Sequence, residues 1–161
     1  MILLKKIMNN GIKSRQIDFY YISSNFSDIL LKLGEKLMSR NYKSLVLLDK
    51  LKDLKDIDRL LWVKEKRSFL PHKLINEEIF EKDKIVLSQN SEIPAYLEKK
   101  FDTLIISPEK SIKSFKLFKR FLVFCYKGSY QNFDSYKIRL ESLGFTVNGF
   151  EEFNAFKWKS L

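Results

Sequence analysis

Between Ile17 and Trp62 a short block of β-branched and aromatic residues is followed, twice in succession, by a stretch whose apolar residues recur at helical spacing. Ile17-Asp-Phe-Tyr-Tyr-Ile22 reads as a strand, and Ser23-Ser24-Asn25 offers capping side chains for a helix directly after it. Phe26, Ile29, Leu30, Leu33 and Leu37 then share one face of that helix, which Asn41 is suited to close in the left-handed conformation. Leu45-Val-Leu-Leu48 is a buried strand, and Leu51, Leu54, Ile57, Leu60 and Leu61 form the next helical stripe. Asp53, Lys55, Asp56 and Asp58 stay on its wet side, and Trp62 falls at its C-terminal end. Strand, helix, strand, helix in that order demands crossovers, and crossovers place the strands parallel.

The later elements are shorter. Lys84 to Ser88 and Thr103 to Ile106 read as strands, with a short helix around Ile93 to Lys100. Phe121 to Cys125 is a further strand, and Phe133, Tyr136, Leu140 and Leu143 lie on one face of a helix that Asn132 can cap and Gly144 should end. Phe145-Thr-Val147 reads as a short last strand, and the aromatic stretch Phe150 to Trp158 packs on the domain instead of trailing from it. The expected division is a basic, disordered arm over residues 1–16 and one α/β domain over 17–161. That domain is expected to be a three-layer, Rossmann-like fold: a mostly parallel sheet with helices on both faces and no nucleotide-binding glycine motif.

Composition removes several classes of function. Cys125 is the only cysteine, so no intrachain disulfide forms, a thiolate metal cluster is ruled out, and a reducing, cytoplasmic setting fits. It reads as a buried strand residue. No apolar run is long enough to cross a bilayer, and residues 1–16 lack the apolar core of a secretion signal. The five glycines, 11, 34, 128, 144 and 149, are too dispersed to form a phosphate loop. His72 is the only histidine, which leaves a zinc site or a Ser-His-Asp triad poorly supplied. The expectation is therefore a chain without its own active site and without cofactor or metal. A net charge of +10 points toward anionic partners. Lysines outnumber arginines 24 to 6 and are scattered, and with only two alanines, Ala95 and Ala155, the charge reads partly as codon bias.

The segment from Trp62 to His72 is the most distinctive. An amphipathic helix ends on Trp62, a six-residue link comes next that is polar apart from Val63, and then Phe69-Leu-Pro-His72. Large rigid aromatics around a loop suit a binding hot spot. Core packing is the competing reading for Phe69 and Leu70, whereas Trp62, Pro71 and His72 are expected to be exposed. This arrangement resembles the chi subunit family of bacterial DNA polymerase III. The resemblance extends over Ile17 to Trp158, taking in the Phe19-Tyr-Tyr-Ile22 strand, Gly144-Phe145 and a tryptophan near the C-terminus.

The resemblance implies an adaptor in DNA replication that ties the clamp loader to single-stranded DNA-binding protein. It assigns Trp62, Phe69, Pro71 and His72 to a surface for the psi subunit or an accessory helicase. It also assigns the helix from Gln131 to Leu143 to the acidic C-terminal tail of single-stranded DNA-binding protein, which ends in Pro-Phe-carboxylate. Such a tail needs an apolar pocket for its ring and cations for its carboxylates. Tyr136, Lys137 and Arg139, with the upstream Tyr126-Lys127, offer those ingredients. Family helices run Tyr/Trp-Lys-x-Tyr-Arg-x-x-Gly, whereas the segment from Tyr136 to Gly144 has one more residue before its glycine, and Asp134 stands where arginine is expected. For Lys137 a solvent ion pair with Glu141, worth about 0.3 kcal/mol, is the competing reading. DNA contact would then be mostly indirect. The alternatives from other classes are a small nucleotide-dependent or nucleic-acid-processing enzyme and a direct single-stranded DNA binder.

Overall fold

The computed structural model describes residues 15–63, 70–89, 95–98, 100–110, 118–128 and 133–161. The chain begins β1 (Gln16–Ile22), α1 (Phe26–Ser39), β2 (Ser44–Leu47), α2 (Leu51–Val63), β3 (Lys73–Leu74) and β4 (Ile85–Ser88). It continues α3 (Ala95–Glu98), β5 (Thr103–Ile106), β6 (Arg120–Tyr126), α4 (Phe133–Ser142), β7 (Thr146–Asn154) and β8 (Lys157–Ser160). The strands form one sheet in the order β3-β4-β2-β5-β6-β1-β7-β8, and every neighbouring pair is parallel except β7 with β8.

The expected α/β architecture with a mostly parallel sheet is therefore present, and its logic is visible in β1. Ile17, Phe19 and Tyr21 enter one apolar cluster, while Tyr20 and Ile22 enter the other. Successive side chains of a strand point to opposite faces, so one strand feeds two cores. The first cluster takes Leu97 from α3 and Phe133 and Leu140 from α4. The second takes Phe26, Ile29, Leu30 and Leu37 from α1 and Ile57 and Leu61 from α2. Strands covered on both faces carry apolar runs without alternation. That is why all four residues of β2, of β4 and of β5 are buried.

Helix ends obey local chemistry. Asn41 adopts φ 59° just beyond α1, and Gly144 adopts φ 93° beyond α4, where Phe145 N donates to Leu140 O at 3.2 Å. The start of α1 differs from expectation: Asn25 makes no side-chain cap, and only its carbonyl accepts, from Asp28 N and Ile29 N. Ser23 and Ser24 are engaged elsewhere, because Glu152, fully buried in β7, draws them away. Its carboxylate accepts Ser24 Oγ at 2.6 Å, Ser23 N and Ser24 N at 2.8 Å each, Phe156 N at 2.9 Å and Ser23 Oγ at 3.0 Å.

The C-terminus also corrects the sequence reading. The expected strand over Phe145 to Val147 extends to Asn154 and folds back as β8 in an antiparallel hairpin. The turn carries Phe156 at φ 60° without a glycine, so the usual hairpin signal is missing. Side chains hold it: Tyr20 stacks on Phe124 and Phe150 at 5.1 and 5.2 Å and meets Trp158 edge-on at 5.1 Å. At the other end β1 starts at Gln16, one residue early. Arg15 donates to Phe118 O at 3.1 Å and lies 4.8 Å over the Phe145 ring, and the desolvation of that site lowers its pKa. Residues 1–14 of the expected arm, and the expected cap Asn132, lie outside the described residues.

Candidate functional site

The end of α2 carries the first candidate surface. Trp62 is 53% exposed, and its indole nitrogen donates to Asp58 Oδ1, one turn earlier on the helix, at 3.3 Å. The same oxygen lies 2.9 Å from His72 Nε2, while His72 Nδ1 donates to Leu70 O at 2.7 Å. The His72 and Trp62 rings sit 5.0 Å apart at 50°. Pro71 is exposed, but His72 is buried, which corrects the expectation of an exposed histidine. The physical reason is that both ring nitrogens have a polar partner at hydrogen-bond distance, Leu70 O for Nδ1 and the Asp58 carboxylate for Nε2, so the buried ring is not left among apolar groups alone. Leu70 is buried against Gly34 of α1, where a Cβ would run into its side chain, and against Ile85. The expected contact residue Phe69 lies outside the described residues.

The second surface is built on α4. Phe133 and Leu140 anchor the helix, and Phe133 covers Gly149 of β7 so closely that any Cβ there would strike its ring. Tyr136 is 46% exposed and stacks flat on Phe19 of β1, centroids 6.0 Å apart and planes at 13°. Lys137 is half-buried and Arg139 exposed. At about 100° per residue, Arg139 shares the flank of Tyr136, while Lys137 emerges on the opposite side of the buried stripe. The helix therefore does not gather all of its cations around the tyrosine.

Lys127, just beyond β6, lies 3.7 Å from Glu151 Oε1, and Lys159 of β8 lies 3.0 Å from Glu151 Oε2. The hydrogen bond from Lys159 outweighs desolvation and, with the charges of Lys159 and Lys127, holds the Glu151 carboxyl below the usual carboxylate range. Neither Glu151 nor Lys159 is singled out by any motif; only the pairing of β7 with β8 brings them to Lys127. Tyr126, expected beside Lys127 at this site, instead lines a cleft with Phe26, Ile57 and Leu60 on the side of α1 and α2. Cys125, expected to be buried, is half-buried in β6 and packs against the core on the α4 face. No helix among the described residues is long and apolar enough to cross a membrane.

An α/β domain with a mostly parallel sheet, presenting an exposed tryptophan against a buried histidine and an exposed tyrosine stacked on a core phenylalanine, is the class of protein that the fold and these two surfaces define. The family model for the DNA polymerase III chi subunit, HolC, matches residues 15–134. The chain therefore belongs to the DNA polymerase III chi subunit family, whose members are non-catalytic accessory subunits of a replicative polymerase. No match is found among curated proteins. The matched residues include Trp62, Phe69, Pro71, His72 and Lys127 and end before Tyr136, Lys137 and Arg139.

Proposed function

We propose that this chi-like replication subunit is an adaptor that receives the acidic C-terminal tail of single-stranded DNA-binding protein and links it to the clamp loader or to a helicase. The observation that carries this reading is Tyr136, an exposed ring stacked on Phe19 with cations on either flank of its helix. A fixed aromatic buries area at little entropic cost, and lysines nearby complement a carboxylate-rich peptide. Lys127, Lys137 and Arg139 are the cations offered to the tail, and Tyr136 is the platform for its terminal ring. Trp62 and Pro71 form the surface offered to a psi-like subunit or helicase, and His72 supports that surface from behind; Phe69, outside the described residues, joins them by the resemblance. Positive charge then acts on an acidic peptide, so affinity falls as salt rises. No cofactor is required for this role.

The test is fluorescence anisotropy of a labelled acidic peptide ending in Asp-Ile-Pro-Phe, beside the same peptide without its last Phe and beside oligo-dT. Binding that needs the terminal Phe is the expected result. Failure of both peptides while oligo-dT binds would put direct single-stranded DNA binding in its place.

A further inference from the structure

If an acidic peptide docks on α4, it meets a carboxylate of this chain already in position. Glu151 faces the α4 side of the sheet: it comes two positions after Gly149, the residue under Phe133, so its Cα lies roughly 7 Å further along β7. Tyr21, in register with Glu151 on β1, touches the Phe133 ring edge-on at 6.0 Å. Phe133 thus has Tyr136 one helical turn on, the Gly149 and Phe19 row beneath it, and the Glu151 and Tyr21 row next along the strands. Directly across β8 from Glu151 stands Lys159, and Lys127 approaches from the end of β6. The two ammonium groups engage different oxygens of one carboxylate, 3.0 and 3.7 Å away, and remain 57% and 40% exposed at the side chain.

We infer that Glu151 is a built-in competitor for the acidic ligand, and that Lys159, paired with Lys127, is a further cation of the same site. Glu151 draws two lysines from distant parts of the chain toward one point and occupies the position that a ligand carboxylate takes when it binds. Exposed ion pairs of this kind are weak, so a peptide with several carboxylates displaces Glu151 at little cost, while an isolated anion does not. The competitor therefore sets a threshold of ligand charge. This rests on the adaptor reading above and adds to it two residues and a selectivity.

The experiment measures the labelled acidic peptide ending in Asp-Ile-Pro-Phe against the wild-type chain, Glu151→Gln and Lys159→Met, with thermal unfolding as a check of folding. Glu151→Gln should tighten the dissociation constant about two- to five-fold and Lys159→Met should weaken it by a similar factor, the size of one or two exposed ion pairs. Wild-type binding that is unchanged in either variant overturns the inference alone. A wild-type chain that ignores the peptide overturns the adaptor reading and this inference with it.

Discussion

Glu152 in β7 reaches back to Ser24, at the end of β1, and accepts its hydroxyl at 2.6 Å. The contact spans 128 residues of sequence and fixes the loop that launches α1 to the C-terminal hairpin. Burial by itself would raise the pKa of that carboxyl. The hydrogen bonds from the Ser24 hydroxyl and from Phe156 N, Ser24 N and Ser23 N overcome it and hold the group down at about 2.

Replacing Glu152 with Ala leaves those three amides and the two hydroxyls without their acceptor. The expected loss is about 3 kcal/mol or more, read as a lower urea midpoint, since a hydrogen bond to a charged group contributes about 1.5–3 kcal/mol and several are lost together. A loss below about 1 kcal/mol would mean that water replaces the carboxylate freely. The pH dependence has a defined sign. The folded pKa lies below the ordinary 4.5, so the contribution is complete above that value and declines as pH falls from 4.5 toward 2. Thermal unfolding of the wild type should show that decline, and Glu152→Gln should flatten it.

Removing the His72 ring deprives Asp58 of its 2.9 Å partner and Leu70 O of its 2.7 Å donor. His72→Ala is expected to cost about 2–4 kcal/mol, from the cavity together with two broken hydrogen bonds. In a Trp158→Phe background, where Trp62 is the sole reporter, its emission should become more accessible to acrylamide. Unchanged quenching would show that His72 does not hold the indole.

Trp62 itself should behave differently. With about half of its surface in water, Trp62→Ala should change stability by about 1 kcal/mol or less, while affinity for the proposed clamp-loader or helicase partner falls by about 2 kcal/mol or more. Calorimetric unfolding and a pull-down on the same preparation separate the two effects. Intact partner binding would move the docking surface elsewhere.

Gly149→Ala connects packing to binding. Its Cβ meets the Phe133 ring, so α4 must lift, at a cost of about 1–3 kcal/mol, and Tyr136 shifts off Phe19 with it. The expected outcome is a lower unfolding midpoint together with weaker binding of the acidic peptide. Weaker binding without a change in midpoint would contradict the packing account.

Much of this molecule is legible from local pattern alone. The strands at Ile17 and Leu45, the helix after each of them, the left-handed Asn41 and the stop at Gly144 all come from side-chain spacing and backbone preference within a few residues. The segment from Trp62 to His72, on which the resemblance to the family rests, lies within the residues that the family model matches and is legible for the same reason: its residues are neighbours in sequence.

The tertiary structure decided whatever depends on residues far apart. His72 faces inward because Asp58 lies one turn before Trp62 and supplies a carboxylate, not because of the proline beside it. Ser23 and Ser24 leave the helix cap for Glu152, and β7 runs on past Val147 because Tyr20, Phe150 and Trp158 meet across strands. Lys159 joins Lys127 only through the pairing of β7 and β8. Local sequence carries propensity and periodicity, whereas the partner of a charge or a ring is set by which strands lie side by side, and that is fixed only when the whole sheet assembles.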